Sequence, residues 1–145
     1  MEISSSSSLR TAISQWCSDP ESAMATYGNP VGSWDVSRLT QIFLRNIDGC
    51  SNAINIDLSN WDTSRVTFLS QGFHDLSRFN GDISGWDVSK VNNLQATFEH
   101  ASQFNGDISS WDISRSTNLV QSMYHDVVHI SCTLQDSSPC KFDQP

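Results

Sequence analysis

Two columns of aspartate run through this chain at regular spacing, and ordered carboxylates of that kind are where calcium chemistry would be sought. Asp57, Asp82 and Asp107 stand four residues before a tryptophan, and Asp35, Asp62, Asp87 and Asp112 stand directly after one. Copies stacked about 5 Å apart, the spacing of hydrogen-bonded strands, would align these side chains into oxygen ladders able to take calcium. The competing reading is electrostatic. Arg38, Arg65, Lys90 and Arg115 follow the second column by three residues, so aspartate caps turns and strand ends while a basic ladder neutralises it. The charge ladder is favoured; calcium is the one cofactor the pattern leaves open.

The tryptophans themselves, Trp34, Trp61, Trp86 and Trp111, also admit two readings. They are core, each burying about 150–250 Å², or they face outward as an aromatic platform for a glycan or a protein. Strand alternation would set Trp86 with Val88 and Ile83 on the opposite side. A bend in so short a strand brings both inward, and the core reading is favoured. His100 and His125 share a repeat position, and His125 and His129 lie one helical turn apart. Such a pair can bind zinc, against the favoured reading of exposed histidines on a convex helical side. No nucleophile elbow, phosphate-cradling glycine loop or motif-placed Cys/His pair is present. The carboxylates are periodic where an active site would be singular, so no enzyme is expected and no catalytic residue is assigned.

These residues must be positioned by a repeat. The four tryptophans are spaced by 27, 25 and 25 residues, and each begins a Trp-Asp-x-Ser-[Arg/Lys] string. An aliphatic residue (Val31, Leu58, Ile83, Ile108) precedes each by three, and a large apolar one (Tyr27, Ile54, Phe79, Phe104) by seven. Asn80-Gly81 is a turn signal and Asp82–Val88 is short and β-rich, which predicts a strand. Val91, Leu94, Phe98 and Ala101 then follow helical spacing, as do Val66, Leu69, Phe73 and Leu76 one unit earlier. Ser64 and Ser89 stand where helix N-caps belong. A lone strand–turn–helix unit cannot cover its apolar face, but stacked copies cover one another. The expected fold is therefore α/β, a short right-handed leucine-rich-repeat-like solenoid of about four units. A four-stranded propeller blade needs about 40 residues and is rejected.

Boundaries follow from where the pattern stops. Residues 1–7, with the serine run, read as a flexible tail. Residues 8–28 read as a helical cap, with Ser8 as N-cap and an apolar stripe of Leu9, Ala12, Ile13 and Trp16. Asp19-Pro20-Glu21 supplies a second cap, first position and acidic first turn, and Gly28 the stop. The repeats fill 29–126. Asp136 stands where a fifth tryptophan would fall, so 127–145 is a degenerate last repeat and tail. There Cys132 and Cys140 could close a small disulfide loop in an oxidising compartment. Cys50 is read as a buried small hydrophobe rather than a partner of Cys17.

The repeat FNGDIS-x-WD-x-S-[RK]-V, with Leu and Phe in the segment that follows (Phe79 to Phe98), resembles the BspA-like leucine-rich-repeat family, in the variant described from mycoplasma surface lipoproteins. The resemblance covers roughly residues 27–125. It implies a curved solenoid on exported or cell-surface proteins, some of them linked to adhesion and host-protein binding.

Composition narrows the partners. The chain has 16 acidic against 8 basic residues, a net charge of −8, which disfavours nucleic acid and anionic lipid. No apolar run approaches the roughly 18 residues of a membrane span. The start MEISSSSSLR lacks a secretory layout, so an organellar or assembly-bound location stands beside the cell surface that the resemblance implies. The expected function is a non-catalytic protein-interaction or scaffold module, either adhesin-like or a linker subunit of a larger assembly. Partner contact is assigned to the variable residues before each tryptophan: Ser33, Asn60, Gly85 and Ser110. The alternative is carbohydrate or calcium-dependent ligand binding along the Trp/Asp columns.

Overall fold

A computed structural model describes residues 3–28, 30–45, 56–119, 129–131 and 141–143. Helix α1 spans Ser6–Ser18 and helix α2 spans Pro20–Tyr27, followed by a 3-10 turn at Val31–Ser33. Short strands β1 (His129–Ser131) and β2 (Lys141–Asp143) pair antiparallel, His129 opposite Asp143. Between them, units 25 residues apart lie one on the next.

The serine run is not a tail. Ser5 is the N-cap of α1, accepting from the Ser8 N–H while the Ser8 hydroxyl side chain accepts from the Ser5 N–H. Ile3 and Ser6 are buried. Serine favours such ends because its oxygen satisfies N–H groups that have no partner in the first turn. The cap thus falls three residues earlier than Ser8. At α2 the sequence signals hold: Asp19 accepts from the Ser22 N–H, Pro20 opens the helix, and Gly28 closes it at φ 101°. Leu9, Ala12 and Ile13 of α1 join the core of the first units, and Arg10 and Arg45 both lie over the Phe43 ring.

The expected strand–turn–helix solenoid of leucine-rich-repeat type is overturned. Among the described repeat residues, 30–45 and 56–119, there is neither an α-helix nor a strand. Each unit is instead a chain of tight turns, closed by bonds such as Trp86 N–H to Ile83 O, Val91 to Val88 and Phe104 to Ala101. Where a strand was expected over Asp82–Val88, a turn at Ser84-Gly85 interrupts it. Parallel pairing is reduced to single bridges, Gln41 to Phe68 to Asn93 to Asn118.

Two facts explain why the helical spacing of Val91 to Ala101 does not give a helix. Gln71, Asp75, Ala96 and His100 have φ between 54° and 63°, a left-handed conformation at which a right-handed helix cannot continue. The N–H groups a helix would use are also committed between units: Gln71 to Gln95 O, Phe73 to Thr97 O, and Asp75 to Glu99 O. Successive turns still point every third or fourth residue inward, so the apolar periodicity is kept while the helix is lost. Val66, Leu69, Phe73, Val91, Leu94 and Phe98 are all buried.

Candidate functional site

The tryptophan column is core. Trp34, Trp61, Trp86 and Trp111 are each at most 4% exposed, which removes the outward aromatic platform. Trp61, Trp86 and Trp111 stack with centroids 6.0 and 6.3 Å apart, and the phenylalanine pairs Phe73–Phe98 and Phe79–Phe104 stack beside them. A buried indole N–H needs an acceptor, and the preceding unit supplies it. Trp61 donates to Val31 O, Trp86 to Leu58 O and Trp111 to Ile83 O, at 2.9–3.3 Å; Trp34, at the end, donates to Gly28 O. Trp61, Trp86 and Trp111 therefore tie their units to the aliphatic column of the preceding one.

Both aspartate columns are used locally. Asp35, Asp62, Asp87 and Asp112 accept the N–H of the serine two residues on, at 3.0–3.1 Å. Asp57, Asp82 and Asp107 do the same with Ser59, Ser84 and Ser109 at 2.9 Å. Several of these serines add a hydroxyl bond to the same oxygen, as Ser89 does at 2.6 Å. Such side-chain-to-backbone bonds build a turn in place of a helix start, so Ser64 and Ser89 are not helix caps. The serine bonds hold Asp35, Asp57, Asp62, Asp87, Asp107 and Asp112 below the usual carboxylate pKa. Arg38, Lys90 and Arg115 add a smaller effect of the same sign. The charge ladder is thus secondary to the serine turns. Arg38, Arg65, Lys90 and Arg115 are all exposed, and Lys90 reaches across to the Ser64 carbonyl at 2.8 Å.

Ser33, Asn60, Gly85 and Ser110 are exposed and belong to one edge. A Cβ on Gly85 would meet the Ser59 carbonyl at 2.2 Å, and Ser110 donates to the Ser84 carbonyl at 3.1 Å. Gly85 is therefore also a packing requirement, with its bare backbone against the neighbouring unit. Ser33 and Asn60 line a cleft of about 250 Å³ with Pro30, Gly32, Ile56 and Asp57.

A second cluster was not assembled from sequence. His74, Asp75 and His100 each bring a ligand atom within 4.8 Å of the others, and Glu99 approaches His74 at 3.2 Å. The signal lay in the alignment of units: His74 falls on Glu99, and Asp75 falls on His100, so acid and imidazole exchange places between neighbours. His125 lies outside the described residues, as do Cys132, Cys140 and Cys50. Cys17 is disulfide-bonded, and its partner is outside the described residues. Among the described residues no helix is long and apolar enough to cross a membrane.

A stack of turn-built units joined through buried indoles is the class of molecule these features define. The family described as "Mycoplasma protein of unknown function, DUF285" matches over residues 12–136, and the chain belongs to that family. No curated protein and no solved structure matches it.

Proposed function

We propose that this protein is a non-catalytic interaction module that meets another protein through the edge carrying Ser33, Asn60, Gly85 and Ser110. The observation that carries the reading is how the repeated polar groups are used. The aspartates of both columns and the tryptophan N–H groups are bonded within or between units, so the columns repeated from unit to unit build the scaffold. The positions just before each tryptophan vary from unit to unit and stay exposed. The first two already form a concave seat in the cleft with Ile56 and Pro30. Variable side chains on a rigid stacked scaffold are the arrangement by which repeat proteins present binding surfaces.

The setting we propose is a surface or exported one, as the resemblance of the repeat to BspA-like surface proteins implies. The disulfide at Cys17 supports it, because such bonds persist in oxidising compartments. The partner is a protein or a multi-subunit assembly. A charge of −8 disfavours nucleic acid. A glycan reading through the tryptophans has no exposed indole to use.

The test is chemical crosslinking and affinity recovery from the native source with the unaltered chain, Asn60→Arg and Ser110→Arg. Both positions are exposed, so stability in denaturant unfolding should hold within about 0.5 kcal/mol. A specific partner should be recovered by the unaltered chain and lost by the arginine variants. Equal recovery by all three chains would remove the edge from the interaction.

A further inference from the structure

The corner at residues 74–75 and 99–100 is the one place among the described repeats where imidazoles and carboxylates converge. Asp75 receives one imidazole nitrogen at each oxygen: His100 Nδ1 lies 2.8 Å from Oδ1 and His74 Nδ1 lies 2.9 Å from Oδ2. The other nitrogen of His74, Nε2, lies 3.2 Å from Glu99 Oε2. The His74 and Glu99 side chains are 17% and 16% exposed, whereas Asp75 and His100 are 39% and 55%. His74 Nδ1 is shut away from solvent and completes no hydrogen bond despite its carboxylate neighbour.

The convergence of two imidazoles and a carboxylate from neighbouring units carries the inference. A carboxylate beside one imidazole nitrogen holds the ring proton there and leaves the other nitrogen as a bare lone pair. Glu99 lies at Nε2, which leaves Nδ1, the nitrogen facing Asp75, as the one on the side of the cluster where a cation would sit. A carboxylate behind a ligating imidazole is the usual outer support of a metal-bound histidine, and a mix of imidazole and carboxylate suits zinc and its neighbours.

We propose that His74, Asp75 and His100 form a zinc-class divalent metal site, with Glu99 orienting His74 from behind. Three protein ligands leave a fourth position for water, on the side where His100 and Asp75 are open to solvent. Ligands about 2.0–2.1 Å from zinc lie about 3.3 Å apart in a tetrahedron. Closing from the observed 4.8 Å limit needs only side-chain movement at the two exposed residues. The site spans two units, since Asp75 and His100 stand 25 residues apart, and a bound ion fastens one to the next. It is independent of the partner edge.

Zinc titration by calorimetry, with cobalt absorption as a readout of coordination, tests this on the full disulfide-intact chain. The unaltered protein should bind one zinc at this corner and melt higher as zinc rises. His74→Gln, Asp75→Asn and His100→Asn should each weaken zinc by at least about tenfold, and Glu99→Gln by about tenfold. Paired substitution of His125 and His129 by glutamine should leave the affinity unchanged. If His74→Gln fails to fold, Asp75→Asn decides, because asparagine tolerates the same left-handed backbone. Silence of the unaltered chain toward zinc, full affinity in Asp75→Asn, or loss confined to the His125/His129 variant would each overturn the site.

Discussion

The two polar corners of each unit, one around Trp-Asp-x-Ser and one around residues 74–75 and 99–100, use the same side-chain types in opposite ways. At the first, every unit repeats the same residues, and every strong group closes on itself: carboxylate on serine, indole on carbonyl. At the second, neighbouring units exchange histidine for acid, and one imidazole nitrogen is left over. The first corner is what makes units stack. The second departs from the repeat, has left-handed residues at Asp75 and His100, and brings three ligand atoms within 4.8 Å of one another. Regularity therefore marks scaffold in this protein, and irregularity marks the place to look for chemistry.

If the first corner is scaffold, breaking it should cost most. Trp86→Ala removes a buried ring stacked on both Trp61 and Trp111 and should destabilise the protein by about 3–5 kcal/mol in denaturant unfolding. Trp86→Phe separates the two contributions, since it keeps a ring but leaves the Leu58 carbonyl without its donor. It should lie well short of the alanine variant, and near-equality of the two would mean that the inter-unit bond outweighs the stacking. Gly85→Ala comes next. Its Cβ would stand 2.2 Å from a backbone oxygen of Ser59, an overlap that only backbone movement relieves, at about 1–3 kcal/mol. Ser110→Ala at the matching position should cost under about 0.5 kcal/mol. A neutral Gly85→Ala would show that the edge is looser than its packing implies.

How much of this was legible in the sequence depends on which bond is considered. Stacking and the buried tryptophans were readable, because columns of apolar residues at 25-residue spacing leave few other ways to be covered. Secondary structure was misread, because turns linked every three or four residues bury the same faces as a helix. Backbone angles at Gln71, Asp75, Ala96 and His100 and the N–H bonds between units tell the two apart, and alanine at 96 gives no hint of φ 54°. The Asp-x-Ser strings were visible, but an aspartate–serine turn and a serine helix cap share their residue types. The histidine corner was hidden by a comparison along single columns, whereas its members pair diagonally across two.

The aspartate turns give a smaller and pH-dependent effect. Asp87 is held below the ordinary carboxylate value of 3.8, first by the Ser89 hydroxyl and then by its N–H. A carboxyl with a lowered folded-state pKa contributes stability that is complete above its unfolded value and is lost as pH falls through the folded one. Asp87→Asn keeps an acceptor for Ser89 and removes only the charge. At neutral pH it should cost under about 1 kcal/mol for so exposed a group. The difference from the unaltered protein should shrink as acid protonates Asp87, which urea unfolding across that range would record. A gap that stays constant into acid would assign the effect to shape and not to charge.

The smallest expected effect is the most informative about the second corner. In chelator, His100→Asn should change stability by no more than about 0.5 kcal/mol. Two changes oppose each other there. The bond from His100 to Asp75 at 2.8 Å and the ring contact with His74 are lost, but they lie on a half-exposed side chain where such contacts contribute little. Asparagine, in turn, adopts the φ of 63° found at this position with less strain than most residues. A scaffold residue would not be so replaceable: Trp86, with its ring and its N–H both engaged, has no substitute of equal cost. A loss of several kcal/mol from His100→Asn without metal would place this corner with the tryptophans as architecture. Near-neutrality, joined to a loss of zinc affinity, would separate the two corners into one that holds the stack and one that the stack holds.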